Sequence, residues 1–126
     1  MSVVLICSTW EDDSFLTQAA FHLHQAAESC YKGVLLVFTN YTPREHFLEI
    51  LGKKAEQCSD EFGDIFSKAK KEDEERFNLL EYAYIGGRYD PDYYISKEDL
   101  EILKISAQKL LNLMKESCKK KISSFI

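Results

Sequence analysis

Proline and glycine are scarce in this chain, two and five among 126 residues. So few breakers suit long helices better than many short strands joined by turns. No apolar run approaches the roughly 18 residues of a membrane span. Val3 to Cys7 is apolar but far shorter, and it lacks the basic leader of a signal peptide. The four cysteines, at 7, 30, 58 and 118, form no Cys-x-x-Cys pair and no Cys/His group at ligand spacing. No structural zinc, other metal or cofactor is expected, and a reducing, cytoplasmic setting follows. A phosphate-cradling glycine loop is missing, since Gly86-Gly87 follows a helical pattern instead of preceding one. The serines show no nucleophile elbow. Basic charge is short as well. A net charge of −5 argues against broad charge-driven duplex binding, which needs many neutralised phosphates, so no specific duplex DNA binding is expected.

What is present is helical periodicity. The chain is organised around Ala19 to Phe38, AAFHLHQAAESCYKGVLLVF. Apolar or small residues recur there at Ala20, Leu23, Ala27, Cys30, Val34 and Phe38, in steps of three and four. Phe21, Ala26 and Leu35 add apolar bulk. The pattern predicts a helix from Ser14 to Phe38, about 37 Å long at 1.5 Å per residue. A helix this apolar is covered on most sides and takes the centre of a bundle. A polar row, His22, Gln25, Ser29 and Lys32, runs along it. That row either faces water and pairs with neighbouring helices, or lines a cleft.

Thr42, Pro43 and Glu45 read as a capping box with proline at the first helical position. The helix they predict carries Phe47, Leu48, Ile50, Leu51, Ala55 and Cys58 on one face and ends near Cys58. Ser59 and Asp60 cap a short turn bearing Phe62, Ile65 and Phe66. Ser67 to Arg76 is a charge run of mixed sign, a solvated loop feeding the next helix. That helix, Glu72 to Gly86, shows Phe77, Leu80, Ala83 and Tyr84 and is ended by Gly86-Gly87. Arg88 to Ile95 is a tyrosine- and aspartate-rich loop. Ser96 with Asp99 caps the last helix, and Ile95 and Leu100 form its hydrophobic staple. Leu100, Leu103, Ala107, Leu110 and Met114 make a bundle seam. Lys115, Lys119, Lys120 and Lys121 suit a helix C-terminus without invoking nucleic acid. The expectation is one all-α domain over residues 14–126, an up-and-down four-helix bundle. Residues 1–13 are an arm or remnant helix with Trp10 packed on the bundle.

Arg88 has the planar fork suited to phosphate, though Asp90, Asp92 or a neighbouring carboxylate offers it an ordinary ion pair. Tyr84, Tyr89, Tyr93 and Tyr94 either stack on a base or cover helix ends and interfaces. His22 and His24 are two apart, diverge by about 200° around a helix, and cannot act as one pair. His24 meets a different neighbour from the polar row. His46 packs the first turn of its helix, and a His22–His46 metal site lacks a third ligand.

Three blocks in combination resemble a known family: AFHLHQAAESCYK from Ala20, TPREHFLEIL from Thr42, and LLEYAYIGGRYDPDYYISKEDLEIL from Leu79. They resemble the HEPN (higher eukaryotes and prokaryotes nucleotide-binding) domain, over about Phe15 to Ile122. They look most like the form found at the C-terminus of, or beside, minimal nucleotidyltransferases of bacteria and archaea. The resemblance implies an all-α homodimer with a cleft near the dimer axis for nucleotides or RNA. It would place His22, Gln25 and Lys32 on that cleft, with Arg88 and its neighbours. The ligand-binding candidates are therefore Arg88, Tyr89, His22, Gln25, Lys32, Tyr93 and His46, with no catalytic residue assigned.

The chain departs from the family in two ways. Members usually have a full helix before the central one, so here the first helix reads as short or truncated. A partner subunit would then cover what it leaves bare. Nuclease members also carry an arginine followed, four to six residues on, by a histidine acting as general acid or base. From Arg88 those places hold Tyr93, Tyr94 and Ile95; from Arg44, Glu49, Ile50 and Leu51; from Arg76, Glu81, Tyr82 and Ala83. None is histidine, and a tyrosine with pKa near 10 is a poor base at neutral pH. The leading expectation is a non-catalytic binding and dimerisation module partnered with a nucleotidyltransferase, in the same or a neighbouring protein. The alternatives are a toxin-type, metal-independent ribonuclease using His22 or His46, and a purely structural dimerisation bundle.

Overall fold

The structure, a computed structural model, describes residues 13–66 and 68–124, without the side chains of residues 13, 14, 87 and 88. The expected N-terminal arm and the packing of Trp10 lie outside the described residues. Among the described residues there are four α-helices: α1 (Asp13–Thr39), α2 (Leu48–Cys58), α3 (Lys71–Tyr89) and α4 (Lys97–Ser123). A 3-10 turn, Asp60–Asp64, lies between α2 and α3. No strand occurs among the described residues, and the all-α bundle is as expected.

Helix α1 is the central element and packs against α2, α3 and α4. Its seam explains why. Ala20, Ala27, Cys30 and Val34 are buried, with Leu23 and Phe38 partly so. Small side chains let neighbouring helices approach closely, and the large ones come from those neighbours: Leu51, Leu80, Leu100, Leu103 and Leu110. Each such leucine contributes roughly 1.5–3 kcal/mol by leaving water. The helix stops at Asn40, which takes the left-handed conformation (φ 58°) while its N–H donates to the Leu36 carbonyl at 2.9 Å.

Helix α4 starts as its sequence dictates. Ser96 Oγ accepts the Asp99 N–H at 3.1 Å, and Ile95 and Leu100 are both buried. The 3-10 turn follows Ser59 and buries Phe62.

Two expected boundaries are corrected. Helix α2 does not begin at Thr42. Residues 40–47 form a non-helical strap, and the helix starts at Leu48 after an extended Phe47. Glu45 caps no helix; its carboxylate accepts the Phe47 and His46 N–H groups at 3.1 and 3.0 Å, which hold its pKa below the usual range. Pro43 is buried in this strap.

Helix α3 is not ended by Gly86-Gly87 but runs on to Tyr89 and stops before Pro91, which disfavours helix at Asp90. Gly86 serves packing. A β-carbon there would lie 2.5 Å from Tyr82 Cε1 and 3.0 Å from Tyr93 Cδ2. Its absence lets both rings close over the helix.

Candidate functional site

The unusual chemistry of the molecule sits where α1, α3 and the start of α2 meet. Helix spacing puts His24, Glu28 and Lys32 on one stripe of α1, each four residues after the last. His24 is fully buried, and Glu28 is 8% exposed. Neither ring nitrogen of His24 has a hydrogen-bond partner within the described residues, nor does Glu28 Oε1. Carboxylates nevertheless flank the imidazole. Glu81 Oε1 of α3 lies 3.4 Å from Nε2 and Glu28 Oε1 lies 3.8 Å from Nδ1. An unpaired buried polar group costs about 1–3 kcal/mol, so this arrangement is one a sequence selected for stability alone tends to lose.

Glu81 has a second duty. Its two oxygens accept the N–H groups of Leu48, at 2.7 Å, and Glu49, at 3.1 Å. These are the first residues of α2, so a carboxylate from α3 caps a helix that has no cap of its own. Glu28 is bound on its outer side. Its Oε2 accepts from Lys32 Nζ at 3.0 Å and lies 3.2 Å from His46 Nδ1. The His46 ring stacks on Tyr84, with centroids 4.8 Å apart, and Tyr84 also meets His24 at 5.3 Å and Phe21 at 6.3 Å. A buried histidine, two carboxylates and two partly exposed nitrogen donors thus share one locus.

The expected site residues distribute unevenly over this geometry. Lys32 and His46 come together on the same oxygen of Glu28. His22 is exposed at the edge of the Phe21 ring, 5.8 Å between centroids, and so borders the cluster through Phe21. Gln25 is half-buried and Ser29 exposed, so the polar row faces outward from the bundle for most of its length. Tyr89 is exposed. Tyr93 is buried, its hydroxyl donates to the Leu79 carbonyl at 2.7 Å, and burial pushes its pKa up. It packs the loop against α3 and presents no face for a base. Arg88 belongs to the last turn of α3, not to a loop after it, one helical turn beyond Tyr84. Its side chain lies outside the described residues. Arg76 bridges Asp73 at 2.8 Å and Asp99 at 3.1 Å, pinning α3 to the start of α4.

Sequence reasoning missed His24, Glu28 and Glu81. The first two carried a signal in their four-residue spacing. Glu81 carried none, because its partners are 33 and 32 residues away.

A groove of about 390 Å³ lies beside the cluster, floored by Tyr31, Phe62, Phe66 and Phe77. Lys68 spans it, its ammonium 4.4 Å from the Phe77 ring centroid and 3.6 Å from Glu49. His24, Glu28 and His46 do not line it. Among the described residues no group of three or more histidine, cysteine or acidic side chains is placed to hold a metal ion, and no helix is long and apolar enough to cross a membrane.

The chain belongs to the HEPN domain family, whose model matches residues 11–117. That membership points to a nucleotide- or RNA-related function or to dimerisation. No curated protein is similar enough in sequence to extend the assignment.

Proposed function

We propose that this chain is a HEPN module that binds a nucleotide or an RNA end and dimerises, without catalysis of its own. The observation that carries the reading is the convergence of Lys32 and His46 on Glu28 Oε2, beside the Tyr84 ring. Two nitrogen donors from separate elements aim at one oxygen, and an aromatic face lies next to them. That is the chemistry a phosphate and its base require. Arg88 stands in the last turn of α3, one helical turn past Tyr84. Dimerisation is supported by exposed apolar residues on helix faces: Tyr82, Ile85 and Tyr89 on α3, and Ile102 and Ile105 on α4. The likeness of the Leu79–Leu103 block to domains carried beside minimal nucleotidyltransferases supports such an enzyme as partner.

Calorimetric titration with mononucleotides and short RNA tests the ligand half. Binding that falls at least tenfold in Lys32→Ala and in Arg88→Ala is expected. No heat at millimolar ligand would remove it. Light scattering should give twice the monomer mass of 14.6 kDa. Failure to co-purify with a nucleotidyltransferase domain from the same or a neighbouring protein would remove the partnership.

One observation favours a second reading. His46 is half-exposed and its Nδ1 faces a carboxylate, the arrangement that orients a histidine for general acid–base work. RNA cleavage that survives EDTA and disappears in His46→Ala would establish a ribonuclease outside the family's usual motif. Intact RNA after incubation with clean protein would retire it.

A further inference from the structure

Glu28 occupies the place where an anionic ligand would go. Its Oε2 takes the Lys32 ammonium at 3.0 Å and lies 3.2 Å from His46 Nδ1. Its other oxygen points inward, without a hydrogen bond, 3.8 Å from His24 Nδ1. On the far side of that ring Nε2 faces Glu81 Oε1 at 3.4 Å, again without a hydrogen bond. Glu81 is held by two backbone N–H groups of α2 and is not free to turn away. The carboxylate therefore bonds well on the outside and poorly on the inside. The inner histidine is oriented but not engaged.

We propose that the Lys32–His46 pair is a seat for a terminal phosphate, held shut by Glu28 until the ligand displaces it. This rests on the reading of the cluster as the ligand site and adds how that site is regulated. A phosphomonoester takes the Lys32 and His46 donors. The Glu28 carboxylate rotates inward to His24. There it meets a lone pair or an N–H, depending on the tautomer, while Glu81 faces the opposite nitrogen. Two carboxylates on one imidazole are both satisfied only by the imidazolium, which donates from both nitrogens. One proton is taken up from solvent, and no bond is made or broken otherwise. The groups that face His24 and Glu28 are Lys32 on the same helix, His46 on the strap before α2, and Glu81 and Tyr84 on α3. The sign follows: phosphate binding that takes up a proton weakens as pH rises. A nucleoside without phosphate gains nothing from the displacement.

The probes are adenosine 5′-monophosphate, inorganic phosphate and adenosine. Calorimetry is run on the intact chain in two buffers of different ionisation enthalpy, which counts protons directly. Wild-type protein should bind the two phosphate compounds with net proton uptake and should ignore adenosine. Glu28→Gln keeps the shape and removes the competing charge, so phosphate affinity should rise about tenfold. His24→Gln should bind without the extra proton, which separates its contribution from any made by His46. An unchanged or weaker affinity in Glu28→Gln overturns the shut seat, and proton uptake as large in His24→Gln as in wild type overturns the relay. Nucleotide binding that falls in Lys32→Ala but is unchanged in Glu28→Gln sinks this proposal and leaves the module a nucleotide binder at the same site. Phosphate binding by Glu28→Gln, with no nucleotide or RNA bound by wild type, does the reverse. Should the variants not fold, the wild-type proton count still decides: no uptake on binding phosphate rejects the displacement.

Discussion

Helices α2 and α4 begin in opposite ways. Helix α4 carries its own start: Ser96 accepts from Asp99, three residues on, and Ile95 and Leu100 are buried on either side of the cap. Helix α2 has a fine local signal, Thr42-Pro43-x-Glu45, and does not use it. It starts six residues later, where Glu81 from α3 meets the free N–H groups of Leu48 and Glu49. A serine cap contributes about 1 kcal/mol. A carboxylate bonded to two N–H groups, partly sheltered from water, is a charge-assisted interaction roughly twice as strong per bond. The remote cap therefore wins over the local one. The strap released by that choice, residues 40–47, is what brings His46 to Tyr84 and Glu28. The difference teaches that the site exists because a helix start was decided by tertiary contact.

The comparison breaks most visibly at Glu81. Glu81→Ala should cost about 3 kcal/mol in urea denaturation, since two N–H groups lose their acceptor and His24 loses a flanking charge. Amide exchange should quicken at Leu48 and Glu49 while the first turn of α4 is unaffected. An equal loosening of both helix starts would show that the remote cap is not specific. Gly86→Ala comes next. Alanine gains up to about 1 kcal/mol in helix propensity, yet its β-carbon meets the buried Tyr93 ring at 3.0 Å, so a net loss of about 1 kcal/mol is expected. A gain in thermal midpoint would mean the ring moves freely and the loop is not pinned to α3. Ser96→Ala should cost about 1 kcal/mol, read as a lower urea midpoint at unchanged slope. Thr42→Ala closes the series at a few tenths of a kcal/mol, because that residue caps nothing. A loss equal to that of Ser96→Ala would restore the local capping box.

Much of the fold was readable because it is written at short range. The small-residue seam of α1, the leucine seam of α4 and the Ser96 cap all depend on neighbours within one or two turns, so periodicity and spacing suffice. The same reasoning went astray at Gly86-Gly87. Two glycines read as a helix stop, but the space Gly86 leaves is filled by Tyr82 and Tyr93, and the second ring returns from beyond Pro91. Within the site, Lys32 and His46 were legible as polar groups of the right type. Their meeting on Glu28 was not, because it needs the strap to be unwound. His24 lies off the polar row, and being off that row is what buries it.

By itself the sequence determined an all-α bundle built on the Ala20–Phe38 seam. Apolar periodicity and a good cap act within the few residues that a turn of helix brings together. Only the tertiary structure decided where α2 begins, why α3 runs past its glycines, and that His24, Glu28, His46 and Glu81 share one locus. Those outcomes turn on the strength of charged and packing contacts between residues up to 57 apart in the chain, from His24 to Glu81, which no local pattern encodes.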